Sequence, residues 1–340
     1  MITSLAKYTR FFTKHSTQTR VSFDVLLFLA MVPVFAAIWQ QPYYLSLFSR
    51  IMIFALAALG LNLVLGFGGM VSFGHALYVG VGAYAVGILS FHEITNGWVH
   101  LICALLAAGV IAACIGAVVL RTTGMSFIMI TLAFAQMGYF LTVSLKQYGG
   151  DDGLPVAVRS ALGVVDLNNN VVLYYFVFAA LLLVLWGMSR LLNAPFGLVL
   201  RGIKSNERRV LALGYESFRY KLVAYVLSAM ICALAGFCLA NLTKFAAPSY
   251  LAWQVSGELI VICVLGGMAI LCGPVVGAMS LLILEELLSN FQPGLWPAAE
   301  ALLAKHWLGV IGLCIFVLAL TAKRGMLGAL SAGSKAANTP

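Results

Sequence analysis

Five histidines (His15, His75, His92, His100, His306) and seven cysteines (Cys103, Cys114, Cys232, Cys238, Cys263, Cys272, Cys314) are the side chains of this chain best suited to metal or nucleophilic chemistry. Their spacing supports neither. No H-E-x-x-H and no C-x-x-C occurs, so no local segment presents two ligands together and no metal site is expected. The cysteines are odd in number and all lie inside apolar runs, which reads as small buried hydrophobes. Ser72 precedes His75 by three residues, a pairing that suits a nucleophile and its base. Without a G-x-S-x-G elbow the expected role is packing. A G-x-x-x-x-G-K-[ST] loop is also missing, so ATP is not bound by that route.

Polar groups inside apolar runs are the other place to look, because an ionisable side chain at membrane depth is costly and needs a reason. Asn62, Gln136 and Glu258 are such groups. Glu258 faces a bundle interior, a watery cavity or a partner, or else lies at headgroup level. Asn62 is expected to hydrogen-bond between helices, and Glu285 and Glu286 to lie at an interfacial helix end.

The elements that must position these groups follow from composition. Hydrophobic residues make up 62% and charged residues 9% of 340, and apolar runs recur near the ~20 residues of a helical crossing. The expected fold is all-α, a polytopic helical membrane protein of about ten transmembrane helices, at 23–39, 51–66, 74–91, 99–120, 124–143, 171–190, 221–241, 256–271, 274–290 and 306–322. The two spans of about sixteen residues are short enough to be re-entrant. A tail over 1–22, basic without an acid and lacking a cleavage pattern, leads into an uncleaved signal-anchor. The tail over 323–340 is small and polar, and disorder is expected after Arg324. With ten spans, fifteen of the twenty Lys and Arg fall on one side and five on the other, Arg50 among the five. That asymmetry places both termini in the cytoplasm. It also accounts for the net charge of +9 by topology, with no nucleic-acid partner.

The longest polar interruption is PFGLVLRGIKSNERRVLALGYESFRYK, 195–221, which overlaps a cytoplasmic loop expected at 191–220. Read as a helix, Leu200, Ile203 and Leu211 share one side, and Arg201, Lys204 and Arg208 the adjoining face. Such a helix lies on lipid headgroups or docks into a partner, and docking is the reading preferred. On the other side, the loop at 144–170 is rich in turn formers and carries Asp151, Asp152 and Asp166.

Glycine is unevenly placed. Gly68-Gly69-Met70 and Gly266-Gly267-Met268 each close an apolar run, and another glycine soon starts the next. Interrupted segments in corresponding halves point to a substrate path in transporters, and Asn62, Gly69, Glu258 and Gly267 are the candidate path residues. An ion-gradient-driven secondary transporter would have to rely on Glu258 alone as its coupling carboxylate. A membrane-embedded enzyme lacks a catalytic constellation.

RGIKSNERRVLALGYESFRYKLVAYVLSAMICALAGFCLANL resembles the matching segment of ABC-transporter permeases for branched-chain amino acids, of the LivM-like kind. The likeness continues in SGELIVICVLGGMAILCGPVVGAMSLLILEELL, GLNLVLGFGGMVSFGHALYVGVGAYAVGIL, MITLAFAQM, GGDDGLP and LTAKRGMLG, in the family's order from Gly60 to Gly328. The resemblance implies a bacterial inner-membrane permease, not an enzyme. Its partners would be a second related permease, two ATPase subunits that hold the ATP, and an external solute-binding protein. It further implies that Lys204, Asn206, Glu207, Arg208, Arg209, Ala212, Leu213 and Gly214 form the loop that docks into the ATPase. The chain departs from the family at Met268–Cys272, where a Gly-Ser is usual, and at Glu285, where a proline often stands. Those departures leave the substrate open between hydrophobic amino acids and urea, short amides or other small solutes.

Overall fold

The computed structural model describes residues 24–35, 41–163, 165–289, 309–313, 315–317 and 325–328. It is an all-α bundle of α1 (Asp24–Phe35), α2 (Pro42–Asn62), α3 (His75–Phe91), α4 (Gly97–Val119), α5 (Met125–Ser144), α6 (Asn170–Asn193), α7 (Pro195–Ala212), α8 (Ser217–Thr243), α9 (Trp253–Gly266) and α10 (Gly273–Ser289). Every helix except α7 coincides with one of the first nine expected spans, and the tenth, 306–322, is described only in part. Tyr43–Phe67, Gly97–Val119, Met125–Ser144, Asn170–Asn193 and Ser217–Thr243 are each long and apolar enough to cross a membrane. α1, α3 and α9 are apolar but shorter.

The sequence sets the helix starts locally. Pro42 occupies the first turn of α2, where its missing N–H costs nothing. Asn96 caps α4 and Asn169 caps α6, each side chain accepting the N–H two residues on, at 3.0 and 2.9 Å. Because α2 begins at Pro42 and not near residue 51, Arg50 lies inside a helix and not in the loop expected for it. Its exposed guanidinium lies over the Phe54 ring at 5.6 Å, so the aliphatic stem stays against apolar surface.

α8 is the central helix, packed on α2, α3 and α4. Its contact with α3 is a reciprocal glycine fit. A Cβ on Gly82 would come within 2.1 Å of the Ala233 carbonyl oxygen, and one on Gly236 within 1.9 Å of that of Val79. Small residues are what allow membrane helices this approach. α5 is peripheral, burying Phe127, Thr131 and Ala135 while Met129, Met137 and Phe140 face outward, as a lipid-facing helix does.

α2 and α8 run antiparallel, which defines two ends. The end bearing Phe67 and Ser217 also holds α7. The opposite end carries the loop between α5 and α6, which is more ordered than its turn-forming composition suggests. There β1 (Leu154–Pro155) pairs antiparallel with β4 (Phe245–Ala246), and β2 (Ala161–Leu162) with β3 (Val165–Asp166).

The segment after Arg324 also departs from expectation. Residues 325–328 form a helical turn, and Leu327 is buried. Gly325 lies so close to Gly267 that a Cβ on it would fall 2.3 Å from the Gly267 Cα, so this start of the tail is packed against the bundle. The tail at 1–22 lies outside the described residues.

Candidate functional site

α7 follows α6 after a single-residue corner at Ala194, and Pro195 starts it. Its helical phase is not continuous. Asn206 is extended (φ −161°, ψ 100°), and its Oδ1 accepts the Arg209 N–H at 3.1 Å, so it caps a second short helix. The break resets the buried face. Leu200 and Ile203 are buried as expected, but Val210 takes the inner position and Leu211 is exposed.

The second helix ends at Gly214. Gly214 has φ +87°, its N–H bonds to the Leu211 carbonyl at 2.9 Å, and the Tyr215 N–H bonds to the Val210 carbonyl at 3.3 Å. That pair of bonds is the Schellman closure, which calls for a left-handed residue and hence glycine. The result is a projecting corner. Arg208, Arg209, Leu211, Ala212, Leu213 and Gly214 are all exposed, and Leu213 is 71% accessible. Among the described residues neither Arg208 nor Arg209 forms an ion pair. Beside this corner a groove of about 380 Å³ is lined by Phe196, Tyr215, Arg219, Tyr220 and Val223.

The other residues of this segment tie α7 to the bundle. Arg201 bonds its own corner, to the Leu192 carbonyl at 2.7 Å and that of Gly197 at 3.1 Å. Glu207 accepts from Lys221 Nζ at 2.6 Å and Ser217 Oγ at 2.7 Å, both on α8. Burial pushes its carboxyl pKa up, but the Lys221 and Ser217 bonds and the Lys221 charge outweigh that and leave it below the usual carboxylate range. Lys204 Nζ reaches α2 and donates to the Gly66 carbonyl at 2.5 Å. Sequence reasoning missed the Lys221 partner, fourteen residues from Glu207, because no periodic pattern signals it.

Lys204, Glu207 and Lys221 also line a cavity of about 550 Å³ with Gly68–Val71 and the α4–α5 corner. The first of the two glycine breaks lines it, and the second packs against the first. α2 ends in a π-turn at Leu63–Phe67, and Gly69 follows at φ +72° with its Cα against the Lys204 stem. α9 ends at Gly266, and α10 starts at Gly273. Asn62 joins the two. Its Nδ2 donates to the Ile270 carbonyl at 3.0 Å, and its Oδ1 accepts the Ala269 N–H at 3.2 Å. The structure thus brings Asn62, Gly69 and Gly267 into one neighbourhood at the α7 end. Glu258 lies elsewhere, five residues after the start of α9, near enough to Glu285 and Arg50 to feel both charges. At that opposite end Tyr43 donates to Glu286 at 2.5 Å.

Ser72 and His75 do touch, at 3.0 Å, and both are fully buried. The other imidazole nitrogen is 2.8 Å from Ser228 Oγ, whose hydroxyl donates to the Gly60 carbonyl. Ser228 must therefore accept from His75, which assigns the proton to Nε2 and makes Ser72 the donor to Nδ1. Both nitrogens are committed, Nδ1 to Ser72 just before α3 and Nε2 to Ser228 of α8, and no carboxylate completes a triad among the described residues. Nor do three His, Cys, Asp or Glu side chains converge there on a metal site.

Residues 43–320 match the family model described as branched-chain amino acid transport system / permease component. The chain is 26% identical over 295 residues to the high-affinity branched-chain amino acid transport system permease protein LivM of Escherichia coli K12, covering 78% of this chain and 69% of that one. It is also similar to a probable LivM of Methanocaldococcus jannaschii, 26% identical over 54% of this chain and 63% of the relative. The autoinducer 2 import system permease protein LsrC of Enterobacter sp. strain 638 is 30% identical over 294 residues, covering 80% of this chain and 81% of the relative. No solved structure matches the chain significantly. With the match covering most of its length, the chain belongs to the family of branched-chain amino acid transport system permease components.

Proposed function

We propose that this chain is a transmembrane subunit of an ATP-binding-cassette importer that carries branched-chain or other hydrophobic amino acids across a bacterial inner membrane. ATP is bound and hydrolysed on two separate ATPase subunits, and this chain holds no cofactor of its own. A second, related permease completes the pore, and an external solute-binding protein delivers the substrate. Both termini and α7 lie in the cytoplasm, in keeping with the positive charge gathered there.

The observation that carries this reading is the exposed corner of α7. Leu213 projects at a glycine-closed turn beside Arg208 and Arg209, which form no ion pair among the described residues, so the corner presents an apolar tip flanked by positive charge. That shape fits insertion into a cleft of a soluble partner with acidic walls. Closure of the ATPase pair then moves α7, and the bundle exchanges outward- and inward-open arrangements.

A second reading concerns the solute alone. The relative named for autoinducer 2 import shares four-fifths of this chain at 30% identity, so the same scaffold suits a small polar organic solute such as urea or a short amide.

The test is purification in mild detergent followed by transport in proteoliposomes. Two ATPase polypeptides and a second permease should accompany the chain. Arg208→Glu with Arg209→Glu should leave it inserted but remove the ATPase and lower uptake by about a hundredfold, the scale of a reversed interfacial charge pair. Uptake at the normal rate by the double variant would refute the docking role. Competition of labelled leucine by urea or acetamide would favour the second solute class.

A further inference from the structure

We propose that the two glycine breaks form one inner gate and that Lys204 is the positioning residue through which α7 moves it. The inference rests on the docking of α7 to an ATPase and adds which part of the bundle receives the motion.

α7 has three sets of side-chain ties, and they differ in destination. Arg201 bonds its own corner with α6, and Glu207 bonds the adjacent start of α8. Neither reaches beyond the neighbouring helices in the chain. Among the described residues, Lys204 is the one α7 side chain hydrogen-bonded to α2, across 138 positions of sequence. Its target is one of the last carbonyls of the π-turn, a place where helical carbonyls lack backbone donors and where helices are commonly remodelled for function.

From Gly66 onward there is no slack. A Cβ on Gly66 would lie 2.0 Å from Asn62 Oδ1 and 2.7 Å from the Ala269 amide nitrogen, so the α2 break and the α9–α10 turn are in direct backbone contact. The Asn62 amide is committed in both directions to that turn, and Asn62 itself is fully buried. Ala269, in the middle of the turn, has φ +61°, a left-handed conformation that an alanine holds only under constraint. Gly267 is in turn pressed by Gly325. A displacement of α7 toward or away from the bundle therefore either breaks the Lys204 bond or carries Gly66, and Gly66 cannot shift without Asn62 and the turn. Coupling passes through such chains when the elements they join have two arrangements. The left-handed Ala269 and the π-turn are the two strained elements available to switch.

The paired GGM tripeptides acquire a meaning here. Each breaks a helix that approaches the α7 end, and the breaks meet at Gly66 and Ala269, where the Asn62 side chain also reaches the turn. The cavity of about 550 Å³ is lined by the first break at Gly68–Val71 and by Lys204 of α7, so a displacement of that break changes the cavity wall.

The test uses the complete transporter with a reporter cysteine, Met268→Cys, in the turn, where Met268 is half exposed. Its rate of maleimide labelling is compared in nucleotide-free and vanadate-trapped complexes, with the parent lacking the reporter as background. The rate should differ between the two states. Lys204→Met keeps the stem against Gly69 but removes the donor, and should reduce that difference by about tenfold, while Lys204→Arg restores it. Lys204→Gln, with a shorter neutral donor, reads the same quantity if Lys204→Met does not assemble. Asn62→Ala should also lower the response, and combined with Lys204→Met should add nothing, because both lie on one chain. A full nucleotide response in Lys204→Met, or additive losses in the double variant, overturns the linkage alone. A reporter that ignores nucleotide in the otherwise unaltered complex overturns the docking of α7 and the linkage with it.

Discussion

The two ends of the bundle are fastened by different means. At the end away from α7, the α5–α6 loop is held largely by backbone. β1 and β4 pair, the Val156 N–H bonds to the Lys244 carbonyl at 2.9 Å, and the Ala161 N–H to that of Thr95 at 2.8 Å. Side chains finish the closure, with Ser160 N–H donating to Asn241 at 2.9 Å and Ser160 Oγ 2.7 Å from His100. At the α7 end, α7 is tied to the rest of the bundle by side chains, with Lys204 on the Gly66 carbonyl and Lys221 and Ser217 on Glu207. Backbone ladders hold one geometry, whereas a lysine arm can swing and still find an acceptor. The first end is therefore built as a fixed platform and the second as a jointed one.

Breaking the fixed end should cost most. Arg159 is buried, and its NH1 donates to the Leu167 and Asn168 carbonyls at 2.9 and 3.1 Å and to Asn170 Oδ1 at 2.8 Å. Arg159→Ala leaves these acceptors without their donor and empties the space of a guanidinium. The expected loss is about 3 kcal/mol, read as a lower midpoint of thermal unfolding in detergent. Arg159→Lys, which keeps the charge but places its ammonium on a shorter side chain than the one that carries NH1 to all three acceptors, should recover only part of it. An unchanged midpoint for Arg159→Ala would mean that the platform does not depend on this residue.

Much of this contrast was not legible in the sequence, for identifiable reasons. The spans were readable because a bilayer demands long apolar runs. Asn206 was counted as a docking residue, yet its conformation moves the buried face from Leu211 to Val210, and a helix read at constant phase cannot show that. The two-residue strands of the platform are too short for any alternation to register. Arg50 stands at the edge of an apolar run and so reads as a loop charge, while a snorkelling arginine continues the helix. The echo of Gly68-Gly69-Met70 in Gly266-Gly267-Met268 was visible, but the fact that the two breaks touch through Gly66 and Ala269 belongs to tertiary structure.

The jointed end can be sharpened by loosening its parts singly. Gly214→Ala places a Cβ in open space but at φ +87°, so its effect is conformational strain of about 1–2 kcal/mol. It should fray the second helix of α7 without altering the platform. Amide exchange at Leu213–Tyr215 should quicken while that at Val156 and Ala161 does not. Equal changes at both ends would count against their independence.

The smallest expected effect is at the Glu207 clasp, and it has a sign. Glu207 is held below the usual carboxylate range in the folded chain by Lys221 and Ser217, so it binds its proton less readily folded than unfolded. The clasp therefore contributes above the unfolded carboxylate pKa, and the contribution is lost as pH falls through the lower folded value. With a partly exposed carboxylate, the contribution is under about 1 kcal/mol. Protease cleavage at the 206–217 segment should rise as pH is lowered from about 5 toward 3, and Glu207→Gln should show the faster cleavage already at neutral pH with no further pH dependence from this site. The Lys204 tie carries no carboxylate, so the nucleotide response of the reporter at Met268 should survive Glu207→Gln. Its loss there would show that the α8 clasp, rather than the arm to Gly66, carries the motion of α7 into the bundle.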